Sequence, residues 1–159
     1  MSKPKAQVFA VENELGRLAR EPGGRTIDQA LRQAEQRIEA VRDVSIASLA
    51  EKADQLAALA AATRADNAPG GFGDLYDLSN SIFGVAASFG LKPLAEAALS
   101  LCDLADNYRN GEPANWPAVD VHVDGIRLLA MLGQRAGAAV AEPILEGLRK
   151  VRARVLPAT

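Results

Sequence analysis

The apolar positions of the chain recur at intervals of three and four residues, the spacing that places side chains on one face of an α-helix. An opening arm with this spacing stops at Pro22-Gly23-Gly24. After Thr26, which suits an N-cap position with Gln29 three residues later, one long helix is predicted over about 27–64. The apolar residues of the arm are Val8, Val11, Leu15 and Leu18.

Two apolar stripes follow each other along the long helix. The change of phase falls near 43–48, so we expect a kink or a change of packing partner there. At about 1.5 Å per residue this helix would be roughly 55 Å long, about twice the length of the next, and one half is expected to extend beyond its neighbours. The first stripe contains Ile27, Leu31, Ala34, Ile38 and Val41, and the second contains Leu49, Ala53, Leu56 and Ala60.

Four more helices are predicted beyond the loop at 67–73. The second helix runs over about 74–89 and Gly90 ends it; Pro93 opens the third, the loop 109–117 leads into the fourth, and Glu142-Pro143 opens a fifth. Short loops between helices of similar length favour antiparallel neighbours. Because aromatic residues make up only 4% of the chain while Ala and Leu dominate, we expect an all-α fold.

Charge and cysteine content narrow the functional classes. Lys and Arg number 18 against 20 Asp and Glu, so there is no basic surplus for nucleic acid or an anionic membrane surface. The single Cys102 cannot form an internal disulfide, and no segment has the length and apolar character of a membrane span or a secretion signal. We therefore expect a cytoplasmic protein without nucleic-acid or membrane partners.

The second helix has an unusual outward face. Its apolar positions Leu75, Leu78, Ile82, Val85 and Phe89 are predicted to face the core. The remaining face has an aromatic residue and two of the smallest residues where Glu, Lys or Arg would be usual. Glycine inside a helix costs up to about 1 kcal/mol relative to alanine, so its presence there needs a reason. The outward residues are Tyr76, Asn80, Phe83, Gly84 and Ala87.

Two interpretations of this face remain open. Phe83 could pack under the opening arm or under the long helix, with Gly84 accommodating that contact. Alternatively, the face is a docking surface for a partner, flat at Gly84 and Ala87 and anchored by Phe83. We favour the second interpretation. The docking surface is defined here by Tyr76, Asp77, Asn80, Phe83, Gly84 and Ala87.

The stretch at 78–90, "LSNSIFGVAASFG", resembles the second helix of histidine phosphotransfer (HPt) domains, which pass a phosphoryl group between histidine kinases and receiver domains. The likeness lies in Ser81, Ile82, Gly84, the small residues 86–88 and Phe89-Gly90. Three further segments are similar to the first, third and fourth helices of stand-alone HPt proteins from alpha-proteobacteria, so the resemblance covers about 25–135. These segments are "IDQALRQAEQRI", "LAEAALSLC" and "VDVHVDGIRLL".

The resemblance implies an antiparallel four-helix bundle over 25–159 with a long first helix and an extra C-terminal helix, preceded by the arm at 1–24. Two positions depart from the family pattern: Asn80 replaces the phosphoacceptor histidine and Phe83 replaces a lysine. An amide nitrogen is a very poor nucleophile because its lone pair is delocalised, and loss of the lysine removes charge that stabilises a phosphoryl group. The resemblance thus implies a bundle that keeps the shape without the chemistry.

Few other residues could perform chemistry. His122, the only histidine, lies beside an apolar stripe and is interpreted mainly as a structural residue. Cys102 is interpreted as a small buried thiol, and no histidine or lysine lies close in sequence to Ser79 or Ser81 to activate either one. One His and one Cys make a metal site improbable. We expect no catalytic residue, no cofactor and no metal.

Three hypotheses follow. The first is a catalytically inactive HPt-like protein, not an enzyme, that binds a response-regulator receiver domain or a histidine kinase through the docking surface and regulates two-component signalling by occupancy. The second is an active phosphorelay carrier with a non-standard acceptor such as His122. The third is a structural module that forms a homodimer through the arm and the long first helix. We favour the first.

Overall fold

The computed structural model describes residues 16–17, 25–66 and 70–156. Their secondary structure is entirely helical, which confirms the all-α prediction. The predicted arm lies outside the described residues except for Gly16 and Arg17, which are helical. The α-helices of the described part that follow are α1 (Ile27–Asp66), α2 (Gly71–Ser88), α3 (Lys92–Arg109), α4 (Trp116–Leu132) and α5 (Ala138–Val155), with a short 3₁₀ turn at Gly133–Arg135.

Local signals set several helix ends as predicted. Thr26 and Gln29 form a reciprocal cap, because the Thr26 amide donates to Gln29 Oε1 and the Gln29 amide donates to Thr26 Oγ1, both at 3.2 Å. Gly90 ends α2 with a φ of 74°, a left-handed conformation that glycine adopts without steric strain. Asn115 caps α4 by accepting a hydrogen bond from the Ala118 amide.

The start of α5 differs from the prediction. Glu142-Pro143 was expected to open this helix, but α5 begins at Ala138 and Pro143 lies inside it. Proline lacks the amide hydrogen that an interior helix position donates. The helix continues past Pro143 because Ala141, Leu145 and Leu148 form one buried face, which stabilises the turn on both sides of the proline.

The boundary between two compact units falls within α1, at Met1–Glu39 and Ala40–Thr159. In the first unit, α1 residues 27–39 are all exposed, including Ile27 at 86% and Ile38 at 59%. In the second unit, the later stripe of α1, formed by Leu49, Ala53 and Leu56 among others, is buried. Apolar residues of α1 change from exposed at Val44 to buried at Leu49, and the kink or change of packing partner near 43–48 stays a prediction.

Side-chain contacts fix which helices of Ala40–Thr159 are neighbours. α1 contacts α4 through Arg64 with Asp120 and through Asp54 with Arg127, and the opposite order of these pairs makes the two helices antiparallel. α2 contacts α1 through Ser81 and α3 through Ser79, and α3 contacts α4 through Ser100. α5 runs parallel to α3, as the Glu96–Arg149 and Asp103–Arg152 pairs show, and Leu148 covers Gly125 of α4.

Candidate functional site

The predicted docking surface lies along α2. Asp77, Asn80, Gly84 and Ala87 are exposed. The two aromatic members of this surface are only partly buried and pack against the edge of the hydrophobic core. The structure therefore brings all six predicted residues to one side of one helix, with their aromatic rings at its margin. The two rings are those of Tyr76 and Phe83.

The buried side of α2 is rotated relative to the prediction. Leu75 and Ile82 are buried as expected, whereas Leu78, Val85 and Phe89 are only partly buried. The cause is close packing against α3, where the buried hydroxyl of Ser79 donates a 2.8 Å hydrogen bond to the Ala98 carbonyl oxygen. A polar group satisfied in this way can face the core. The buried residues of α2 are Phe72, Leu75, Ser79, Ile82 and Ala86.

Gly84 has no packing contact with the other described residues. A Cβ atom built on Gly84 would meet none of their atoms within 4 Å, and Gly84 is exposed. By contrast, a Cβ on Gly125 would meet Leu148 Cδ1 at 3.2 Å, which is a close helix–helix contact. The interpretation that Gly84 accommodates a neighbouring segment of the protein thus lacks support among the described residues. Gly84 instead leaves bare helix backbone on the docking surface.

The aromatic margin of the docking surface is anchored to α3. The guanidinium of Arg109 lies over the Tyr76 ring, with Cζ 4.4 Å from the ring centroid, and it also pairs with Asp106. Phe83 packs against the core with part of its ring exposed. These contacts hold both rings in place, so this margin offers a fixed apolar edge.

The opposite margin contains a cation that the sequence did not indicate. Lys52 of α1 donates a 2.8 Å hydrogen bond from Nζ to Ser81 Oγ. The two residues are 29 positions apart, so neither periodicity nor a local motif could have paired them. An ammonium group therefore lies beside Ser81, and a different helix supplies it.

His122 is fully buried and both of its ring nitrogens are bonded. Nδ1 donates to the Ala118 carbonyl oxygen at 2.7 Å, and Nε2 accepts from the Ser100 hydroxyl at 2.9 Å. Burial, followed by the nearby Arg152 charge, lowers the pKa of His122, although its bond to Ala118 acts in the opposite direction. The ring is therefore held neutral in one tautomer, which agrees with the structural role predicted for it.

The cysteine thiol and the potential metal ligands are further candidates for chemistry. Cys102 is buried, and burial raises the pKa of its thiol, which keeps the reactive thiolate scarce. Across the described residues there is no group of three or more His, Cys, Asp or Glu side chains arranged to hold a metal ion. No helix of the described part combines the length and apolar character needed to cross a membrane.

A cavity of about 260 Å³ lies away from the docking surface, at the ends of α2 and α4. Its walls are mostly backbone and apolar side chains, with Arg42 as the one charged residue. It contains none of the residues that the sequence singled out for function. The lining residues are Arg42, Phe89, Gly90, Leu91, Pro93, Leu94, Leu129, Gly133 and Ala136.

The docking surface thus offers an amide and an apolar edge, and the Ser81 hydroxyl and the Lys52 ammonium lie beside it. None of these groups is a strong nucleophile in this setting: Asn80 is an amide, and Ser81 accepts a hydrogen bond from an ammonium rather than donating to a base. Compared with protein-family models, with curated proteins and with solved structures, the chain matches none.

Proposed function

We propose that this protein is a catalytically inactive HPt-like module that binds a receiver domain or a histidine kinase and regulates two-component signalling by occupancy. The observation that supports this proposal best is the exposure of Asn80, together with Gly84 and Ala87, on one face of α2. In the resemblance noted above, this is the face that carries the phosphoacceptor. An exposed face with apolar and small residues and no nucleophile is suited to binding without transfer.

The proposal includes an antiparallel four-helix bundle of HPt type formed by α1 to α4, with α5 as the extra C-terminal helix. Three contacts support it: Lys52 with Ser81 joins α1 to α2, Ser79 with Ala98 joins α2 to α3, and Ser100 with His122 joins α3 to α4. The ion pairs between α1 and α4 make these two helices neighbours as well, so each of the four helices contacts two others. The docking surface would then lie on the outside of the bundle.

Binding would block the partner by covering its reaction centre. Phe83 replaces a charged side chain by an apolar contact, and apolar burial is insensitive to salt and acts mainly by slowing dissociation. Gly84 and Ala87 leave the centre of the surface flat, so a helix or loop of the partner can approach the backbone closely. A complex of this kind would persist without any covalent step.

The experiment that tests the proposal is a binding screen. Purified receiver domains and dimerisation domains of histidine kinases from the source cell are titrated against the full chain by isothermal calorimetry. The proposal expects at least one of them to bind with a 1:1 stoichiometry, and binding should be lost when Gly84 is replaced by Glu. If none binds, or if Gly84→Glu leaves every affinity unchanged, the proposed function is wrong.

The carrier hypothesis receives no support from the geometry of His122. A phosphoacceptor nitrogen must reach the donor, whereas His122 is fully buried and both nitrogens are already hydrogen-bonded. Using it would require α3, α4 and the Ser100 contact to open first. We therefore retain the binding module as the proposed function.

A second candidate function, self-association, is favoured by the exposed stripe of α1. Ile27, Leu31 and Ile38 are 86%, 57% and 59% exposed and share one face of the helix. Such a stripe resembles the contact face of a two-helix interface. Light scattering of the full chain tests this: a dimer that Leu31→Glu converts to a monomer would support it, and a monomer at high concentration would exclude it.

A further inference from the structure

Lys52 occupies an unusual position for a lysine. In the described part of the chain, every other lysine and arginine except Arg42 is exposed, whereas Lys52 is partly buried. Its one bonding partner is the neutral hydroxyl of Ser81, and it forms no ion pair with a carboxylate among the described residues. A cation that is partly withdrawn from water without a counter-charge favours the approach of an anion.

Lys52 and Ser81 retain unused hydrogen-bond donors. The Lys52 ammonium has three donors and uses one of them on Ser81. Because Ser81 Oγ accepts that bond, its own hydroxyl hydrogen remains available to a further acceptor. Ammonium and hydroxyl donors side by side match an oxyanion.

Gly84 leaves Lys52 and Ser81 accessible to a side chain of a docked protein. Gly84 follows Ser81 by about one helical turn, and within the described part of the chain no atom lies within 4 Å of the place where its Cβ would be. A side chain from a docked protein can therefore pass over the bare backbone at Gly84 and reach Ser81 and Lys52. A larger residue at this position would stand in that path.

We propose that Lys52 and Ser81 form a receptor for the carboxylate of an aspartate or glutamate that the docking partner presents. This inference rests on the docking function proposed above and specifies the chemistry that the partner must supply. The carboxylate sits over Gly84, accepts from the Lys52 ammonium and the Ser81 hydroxyl, and lies beside the apolar edge formed by Phe83. Asp77 lies one helical turn before Ser81, and its negative charge repels another carboxylate. The partner's carboxylate must therefore approach from the Gly84 side.

The first experiment needs no protein partner. Sodium acetate replaces sodium chloride at constant ionic strength and pH, and the amide signals of Asn80, Ser81 and Gly84 are followed by NMR. We expect saturable shifts with half-saturation on the order of 100 mM, lost in Lys52→Met, which keeps the apolar stem. Lys92→Met, at an exposed lysine on α3, is the matched control and should retain them.

Each outcome of the acetate titration either supports or overturns the proposed receptor. Absence of saturable shifts in the wild type overturns the receptor, and so do shifts that are equal in Lys52→Met. If inorganic phosphate causes the shifts and acetate does not, the carboxylate assignment is wrong. Each of these results is independent of whether a receiver or kinase domain binds.

The second experiment uses the receiver or kinase domain that binds in the screen. Lys52→Glu should weaken its affinity at least about tenfold and Lys52→Met less, because truncation removes an attraction while reversal adds repulsion. Lys92→Glu should change the affinity by less than about twofold. A partner that is lost with Gly84→Glu but binds equally well to Lys52→Glu overturns this inference and leaves the docking function standing.

Discussion

The Ser100 hydroxyl donates a 2.9 Å hydrogen bond to Nε2 of His122, and this bond joins α3 to α4. The direction of the bond follows from the other nitrogen, since the Ala118 carbonyl can only accept and Nδ1 must carry the hydrogen. Both ring nitrogens of the single histidine are thus engaged in internal hydrogen bonds, and the ring is closed to solvent. His122, which the sequence left open as an alternative phosphoacceptor, therefore connects α3 to α4 instead.

Replacing His122 should therefore affect stability rather than activity. In His122→Ala, the Ser100 hydroxyl loses its partner and a cavity opens between α3 and α4, so we expect a loss of about 2–4 kcal/mol in the free energy of unfolding. Urea denaturation followed by circular dichroism measures it. Ser100→Ala is the matched control and should lose less, about 1 kcal/mol. A change below about 0.5 kcal/mol in His122→Ala would contradict this assignment.

The stability of the protein should also depend on pH through His122. Burial lowers the pKa of this ring in the folded state from its ordinary value of 6.5, so the unfolded chain binds a proton first as the pH falls. The contribution is fully present above pH 6.5 and declines from there toward the lowered pKa, by up to about 1.4 kcal/mol per pH unit. Urea midpoints between pH 7.5 and 4.5 measure this slope, and His122→Gln should flatten it near pH 6. An unchanged slope in that variant would exclude His122 as the cause.

Gly84→Ala should stabilise the protein. Alanine at an exposed helix interior position gains about 0.5–1 kcal/mol over glycine, and no neighbouring atom opposes the new methyl group. Gly125→Ala is the contrasting variant, because its Cβ would press on Leu148, and it should be neutral or destabilising. Thermal melting of both variants decides the point. If Gly84→Ala lowers the melting temperature, the residue has a packing role that the present contacts do not explain.

Variants on the docking surface should separate binding from folding. Phe83→Lys removes the apolar anchor and Gly84→Glu blocks the flat centre, so each should weaken the complex found in the screen at least about tenfold. Val121→Lys on α4 is the matched control, because it changes an exposed apolar residue outside this surface. Melting curves must show that all three variants fold. Equal weakening by Val121→Lys would show that the effect is not specific to α2.

Phosphoryl transfer to this chain should not occur. Incubation with a radiolabelled phospho-receiver should leave the wild type unlabelled, since the exposed turn has an amide at position 80 and His122 is enclosed. Asn80→His with Phe83→Lys introduces the histidine and lysine of the motif that this stretch resembles and serves as the positive comparison. Label on the wild type that disappears in His122→Ala would favour the carrier hypothesis instead.

Several features were predictable because they depend on neighbours in sequence. The spacing of apolar residues predicted the long first helix, which the structure gives as Ile27–Asp66, and the reciprocal cap of Thr26 and Gln29 at its start. Gly90 ends α2 as expected because a left-handed residue is needed there. Helix formation is decided by bonds between residues four apart, so a short window of sequence contains the necessary information.

The pairing of side chains between helices was not predictable in this way. Lys52 reaches Ser81 from 29 positions away and Ser100 reaches His122 from 22, and both pairs depend on how far each helix is rotated about its axis. The same rotation buried Ser79 in place of Leu78. By itself, the sequence determined which segments are helical and which face of α2 lacks charge. Only the tertiary structure decided that an ammonium borders that face and that His122 is enclosed, because helix rotation is set by the summed packing of side chains distant in sequence.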